Sequence, residues 1–170
     1  MRILVTPLSE IEAAIALHHP SHMITLLDPD HLIETPLGIA ADRHLKLGIW
    51  DISHPAEGMV LAEPAHVDRI LEFGRGWDGS EPLLVHCWAG ISRSTATAFM
   101  LACARNPHAD ELAIAQALRR AAPHAYPNRR LVRLADEALG RRGRMVEAVE
   151  AIGANNLAVM GRPFELPARF

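Results

Sequence analysis

The stretch VHCWAGISRST, residues 85–95, decides how the rest of the chain is read. On its N-terminal side PLLVH (82–86) is a short apolar run, continuous in its apolar residues as an interior strand of a parallel sheet should be. On its C-terminal side STATAFMLACA (94–104) has the composition of a buried helix. Strand, tight loop and helix start follow one another, and Cys87 stands where the strand ends. The segment from Cys87 to Arg93, with Gly90 near its middle, lets successive backbone N–H groups face one concavity, a nest for a tetrahedral oxyanion. Arg93 opens the helix, whose N-terminus adds partial positive charge. Its guanidinium can grip two phosphoryl oxygens at once, which a lysine cannot do.

These surroundings are expected to favour the Cys87 thiolate. An ordinary thiol is only a few per cent ionised at neutral pH, and making the anion dominant takes about 4 kcal/mol of preferential stabilisation. A helix N-terminus contributes about 0.3–1 kcal/mol, or about 2 at best. Loop amides, the Ser94 hydroxyl and Arg93 must therefore supply most of it.

Outward from the loop, strands alternate with helices. RILV (2–5) is a strand candidate, followed by a helix from about Ser9 to Leu17 with Ser9 as N-cap and Glu12 three residues on. HMITLL (22–27) is a second strand. HLKLGIWDI (44–52) alternates Leu45, Leu47 and Ile49 before breaking into a loop, SHPAEG. Helices are expected over 64–73, 93–105, 110–121 and 129–140, then an amphipathic piece, RMVEAVEAI (144–152). Residues 153–170 show no clear period. The pattern predicts an α/β architecture: a mostly parallel sheet of about four to five strands flanked by helices, with the phosphate loop between a strand and a helix. One catalytic domain is expected over 1–152, with 153–170 as a tail docked on it.

Composition narrows the class. The 170 residues are 49% hydrophobic, enough for one sizeable core and too apolar for a disordered chain. Seventeen basic against 20 acidic residues give a formal charge of −3, so no nucleic-acid partner is expected. The arginines cluster at 119–120, 129–133 and 141–144, where they read as solvated helix faces and helix C-termini. Two cysteines exclude a disulfide scaffold and fall short of a zinc quartet. HHPSH (18–22) straddles a proline at a helix end and reads as a surface turn rather than a metal site. The longest apolar run, within 95–104, is half a membrane span, and the N-terminus lacks a cleavage-site pattern. A soluble, cytoplasmic protein without metal or cofactor is expected.

The run His86-Cys87-x-x-Gly90-x-Ser92-Arg93-Ser94 resembles the signature of the cysteine-dependent protein tyrosine phosphatases, particularly their compact dual-specificity-like branch. The resemblance covers roughly residues 45–140. It implies that Cys87 is the nucleophile forming a phosphocysteine and that Arg93 binds substrate and stabilises the transferring phosphoryl group. Ser94 would stabilise the departing thiolate, and His86 would order the loop from behind. Trp88, Ala89, Gly90, Ile91 and Ser92 would complete the phosphate-binding turn. APHAYPNRRLV (122–132) is similar to the segment where a Pro-Asn pair begins a helix behind that loop, which makes Asn128 a brace for it. Leu131 stands near the place where the family usually has an aromatic residue.

GIWDISHPAEG (48–58) resembles the strand end and loop that hold the family's general acid, here Asp51. A departing alkoxide or phenoxide must be protonated, and the attacking water then deprotonated, and one carboxyl over the cradle can do both. Asp42, Asp78 and His54 are rivals for that role, and a turn or N-cap aspartate is the alternative for Asp51. Cys103, ten residues beyond Arg93 on the same helix and so ~15 Å away by helical rise, is expected in the core. Trp50 and Trp77 are expected in the core or its rim, and Trp88 either walls the pocket or packs beside the loop.

The expected substrate is a phosphorylated protein or small phosphomonoester. The uncharged loop positions Trp88, Ala89, Ile91 and Ser92 lean against polyphosphorylated inositides; a phosphotyrosine-like aryl ester is the first choice, with phosphoserine and phosphothreonine esters left open. A phosphate-binding module without turnover and a rhodanese-like sulfurtransferase are the alternatives.

Overall fold

The computed structural model describes residues 1–154 and 158–170. Five strands form one sheet: β1 (Arg2–Pro7), β2 (His22–Leu27), β3 (His44–Gly48), β4 (Leu83–Cys87) and β5 (Phe164–Pro167), in the order β3-β2-β4-β1-β5. The first four run parallel, with Val5 opposite Val85 and Ile24 opposite Val85 on its other side, while β5 pairs antiparallel with β1. β4 is therefore central, and all five of its residues are buried. The mixed, mostly parallel sheet between helices is the architecture that the alternating pattern predicts.

Successive strand residues point to opposite faces, and the core divides accordingly. Ile3, Val5, Ile24, Leu26, Leu83 and Val85 belong to the larger apolar cluster, beneath α2 (Pro64–Gly76), α3 (Arg93–Arg105), α4 (Glu111–Ala121), α5 (Arg129–Ala138) and α6 (Arg144–Ala151). Leu4, Met23 and Leu84 face the other way, onto Ile11 and Ile15 of α1 (Ile11–His18). α3 is the buried spine: every residue from Arg93 to Cys103 is out of solvent. Cys103 and Trp77 are in the core, as expected.

Four local expectations need correction. Ser9 does not cap α1; it lies in a short 3-10 turn, Leu8–Glu10, and the capping residue is Glu10. β3 ends at Gly48, not 52, because Trp50 turns its N–H to the Val60 carbonyl, which leaves Asp51 on a loop just past the strand. The segment without a period contains β5, whose four residues are too few for a pattern and are held by pairing with β1. The arginine clusters also divide. Arg119 and Arg120 do end α4, and Arg119 donates to the Pro123 and Ala125 carbonyls. Arg129 and Arg130 instead begin α5, and Arg141 is buried in an ion pair with Glu111 at 2.8 Å.

Candidate active site

Cys87 ends β4 and Arg93 starts α3, so the loop between them sits at the C-terminal edge of the sheet, the edge where α/β folds place ligand sites. Its carbonyls are all but one taken from outside. Trp88 O accepts from Leu8 N at 3.1 Å, Ala89 O from Gly161 N at 2.7 Å and Ile91 O from Tyr126 N at 2.8 Å. Ser92 O accepts from Ala96 N at 3.0 Å and Asn128 N at 3.2 Å. A trans peptide carries its N–H opposite its C=O, and there is no cis bond among the described residues. The amides of Ala89, Gly90, Ser92 and Arg93 are thus turned to the other side, into the loop's concavity. Gly90 is required for this: its φ is +68°, and a Cβ would stand 2.8 Å from Pro7 N at the end of β1.

Cys87 Sγ and Ser94 Oγ lie 3.2 Å apart at the buried floor of this turn. Arg93 is 3% exposed, and its side-chain hydrogen bonds are made through Nη1. Its Nη1 donates to Asp28 Oδ1 at 3.0 Å and to Ile49 O at 2.7 Å. Its Nε is buried with no hydrogen-bond acceptor; the nearest carboxylate oxygen, Asp51 Oδ2, is 3.8 Å away. Arg105 Nε and Arg119 Nε are also buried without an acceptor, so it is the place of Arg93 Nε, at the end of the turn that begins with Cys87, that points to an acceptor from elsewhere.

Asp51 joins the same cluster. Its Oδ1 accepts from Ser92 Oγ at 2.7 Å and from Asn128 Nδ2 at 2.9 Å. Asn128 also caps α5, its Oδ1 accepting from Arg130 N and Leu131 N at 3.1 Å each. One asparagine therefore ties the loop after β3, the turn before α3 and the start of α5 together. Of the rivals for the acid, Asp78 accepts from Ser80 at a distant turn.

Asp28 was not among the sequence candidates. It follows β2 directly, and an acid at the C-terminal end of a parallel strand was the available signal. Its other oxygen accepts from Trp88 Nε1 at 3.0 Å, so one carboxylate orients both the arginine and the indole. Trp88 is 40% exposed at the lip, with the His31 ring edge-on at 5.4 Å.

Behind the loop runs a buried polar chain. His86 Nε2 lies 2.7 Å from Thr25 Oγ1, which lies 2.7 Å from His44 Nε2, and His44 Nδ1 is 3.0 Å from Thr35 Oγ1. Burial lowers both imidazoles to about 4, so each is neutral at physiological pH. Thr25 and His44 also escaped sequence reasoning, since β2 and β3 are remote from Cys87 in the chain. Among the described residues, no three His, Cys, Asp or Glu side chains gather as metal ligands, and no helix is long and apolar enough to cross a membrane.

The fold is shared with several solved structures, DUSP15 among them. The chain is similar to the crystal structure of DUSP15, with a TM-score of 0.63 at 15% identity over 87% of this chain and 88% of that one. It is similar to PTPMT1 in complex with PI(5)P, with a TM-score of 0.57 at 16% identity over 82% and 91%. Human DUSP28 gives 0.53 at 18% identity over 81% and 87%. At these identities the likeness is one of fold. No family model and no curated protein matches the chain.

Proposed function

We propose that the protein is a phosphomonoesterase that hydrolyses phosphotyrosine-like aryl esters through a phosphocysteine. The observation that carries this reading is the state of Arg93. Its guanidinium is anchored through Nη1 while Nε, at the end of the turn that begins with Cys87, is buried with no hydrogen-bond acceptor. A phosphoryl oxygen supplies one.

In the first step the Cys87 thiolate attacks phosphorus, the P–O bond to the leaving group breaks, and Asp51 protonates the departing oxygen. Asp51 hangs from Ser92 and Asn128 within reach of the cradle's rim. In the second step Asp51 takes a proton from water, the oxygen attacks phosphorus and the S–P bond breaks. Ser94, 3.2 Å from the sulfur, stabilises the returning thiolate. Loop amides and Arg93 neutralise the transferring phosphoryl oxygens throughout, as preorganised dipoles that need no rearrangement.

The substrate preference rests on Trp88 at the lip and on the uncharged loop positions. PTPMT1 was crystallised with a lipid, PI(5)P, so the fold can serve lipid phosphates as well. The deciding experiment measures aryl phosphate hydrolysis with a chelator present, beside thiocyanate release from thiosulfate and cyanide. Phosphate release that Cys87→Ser abolishes while retaining vanadate binding is expected. Thiocyanate release without phosphate release would assign the loop to sulfur transfer.

A further inference from the structure

A cleft of about 250 Å³ opens beside the candidate site, between the loop after Asp51 and helices α5 and α6. It adjoins the site along the chain from both sides. Ser53 and His54 come just after Asp51, and Arg129 follows Asn128, whose amide holds Asp51. A second cleft shares Arg129, Val149 and Glu150 with it and reaches Tyr126, whose N–H is bonded to the phosphate loop at Ile91 O. Together they form a groove along the start of α5, joined to the site through Asn128 and Tyr126.

The groove is cationic against the trend of the chain. Arg129, Arg130 and Arg133 line the first cleft with a single carboxylate, Glu150, in a protein of net charge −3. Arg130 is engaged through Nε with the Ala62 carbonyl. Among the described residues, Arg129 and Arg133 have neither an ion pair nor a side-chain hydrogen bond. Their location adds to this. Arg129 and Arg130 open α5, whose first turn has no acidic residue, so positive charge sits at the positive end of the helix dipole. Arginines at that end of a helix with no carboxylate bonded to their side chains are expected where the surface binds something.

We propose that this groove seats an acidic side chain of a phosphopeptide, next to the phosphorylated residue in the cradle, with Arg129 and Arg133 selecting for it. The proposal rests on the phosphomonoesterase reading above. Val132, Val146 and Val149 also line the cleft, which suits an aliphatic stem ending in a carboxylate. Glu150 opposes a headgroup bearing several phosphates.

The test compares two phosphotyrosine peptides that differ only in glutamate or glutamine within two residues of the phosphotyrosine. With the full chain, kcat/KM for the glutamate peptide should exceed its twin by about tenfold, mainly through KM, and the advantage should shrink as salt rises. In the double variant Arg129→Glu, Arg133→Glu the ratio should fall to one or below. Because the ratio is taken within each protein, a general change in turnover cancels. A wild-type ratio of one, or a ratio that survives the double substitution, overturns the groove assignment.

If neither peptide nor any aryl phosphate is turned over, the phosphomonoesterase reading has failed. The groove is then judged by calorimetric affinities of Cys87→Ser for the same peptides, and equal affinities overturn it. Phosphoinositide vesicles are the third arm. Vesicle binding that outcompetes the acidic peptide and is lost in the double variant assigns the groove to a lipid headgroup and overturns the peptide assignment.

Discussion

Arg93 Nη1 donates to Asp28 Oδ1 at 3.0 Å, and Asp28 Oδ2 accepts from Trp88 Nε1 at 3.0 Å. A single carboxylate at the end of β2 thus sets the orientation of the Arg93 guanidinium and of the Trp88 indole. It fixes one end of the guanidinium and leaves Nε for a ligand. Replacing Asp28 by alanine would strand a buried cation at a cost of about 3–5 kcal/mol, so that variant reports mainly on folding. Asp28→Asn keeps the shape and loses the charge-assisted bond. It should lower Tm and also lower kcat/KM for aryl phosphates about 10–100-fold at a temperature where both proteins are folded; unaltered kinetics there would remove Asp28 from the positioning of Arg93.

The two thiols should separate cleanly by reactivity. Burial pushes the Cys103 thiol up to about 12, against a smaller opposing effect of Arg141. Native protein treated with iodoacetamide should gain one adduct, at Cys87, and phosphate or vanadate should slow it. Mass spectrometry showing Cys103 labelled at the same rate would contradict the assignment of Cys87 as the nucleophile.

Asp51→Asn should slow esters of poor leaving groups about 10²–10⁴-fold while esters of acidic phenols lose far less, since only the former need a proton as they depart. The amide cannot replace the donated proton. A loss of equal size across leaving groups would transfer the acid role to another residue.

Acid should destabilise the fold through its buried imidazoles. His86 titrates near 6.5 in the unfolded chain but at about 4 in the fold, chiefly because of burial. Between those values the unfolded state binds more protons, so stability falls as pH drops through that window and is complete above about 7. His86 alone accounts for about 3 kcal/mol, with His44 adding a smaller share in the same direction. Chemical denaturation from pH 7.5 to 4.5 should show the decline, and His86→Asn should remove much of its slope.

Gly161 N–H donates to Ala89 O at 2.7 Å, which brings the C-terminal segment against the phosphate loop. A Cβ there would stand 2.8 Å from the His124 ring and 2.9 Å from Ala89 O. Gly161→Ala should cost about 1–3 kcal/mol of stability and weaken vanadate inhibition, because Ala89 must shift. Wild-type Tm and inhibition together would show that residues near 161 do not support the loop.

Several neighbours of this site could not be read in advance. Asp28 and Arg93 are 65 residues apart, Ser92 and Asp51 are 41, and Asn128 and Asp51 are 77. For Asp51 and Asn128 a family resemblance bridged the gap; Asp28, Thr25 and His44 had no such guide. The Arg129–Arg130 pair shows the same limit from the other side. Its charge was plain in the chain, but its cost at a helix start and its place in a cleft depend on where α5 begins and what packs beside it.

The sequence by itself determined the strand, the turn and the helix of residues 82–105, with Cys87, Gly90, Arg93 and Ser94 in it. Apolar continuity, one glycine and a helix start are local properties, written within a few residues of one another. Only the tertiary structure decided which carboxylates flank Arg93, what backs His86 and where residues 164–167 go. Those contacts depend on the order and register of parallel strands joined by long crossovers, and strand pairing across such distances is set by the burial of the whole sheet rather than by any stretch of it.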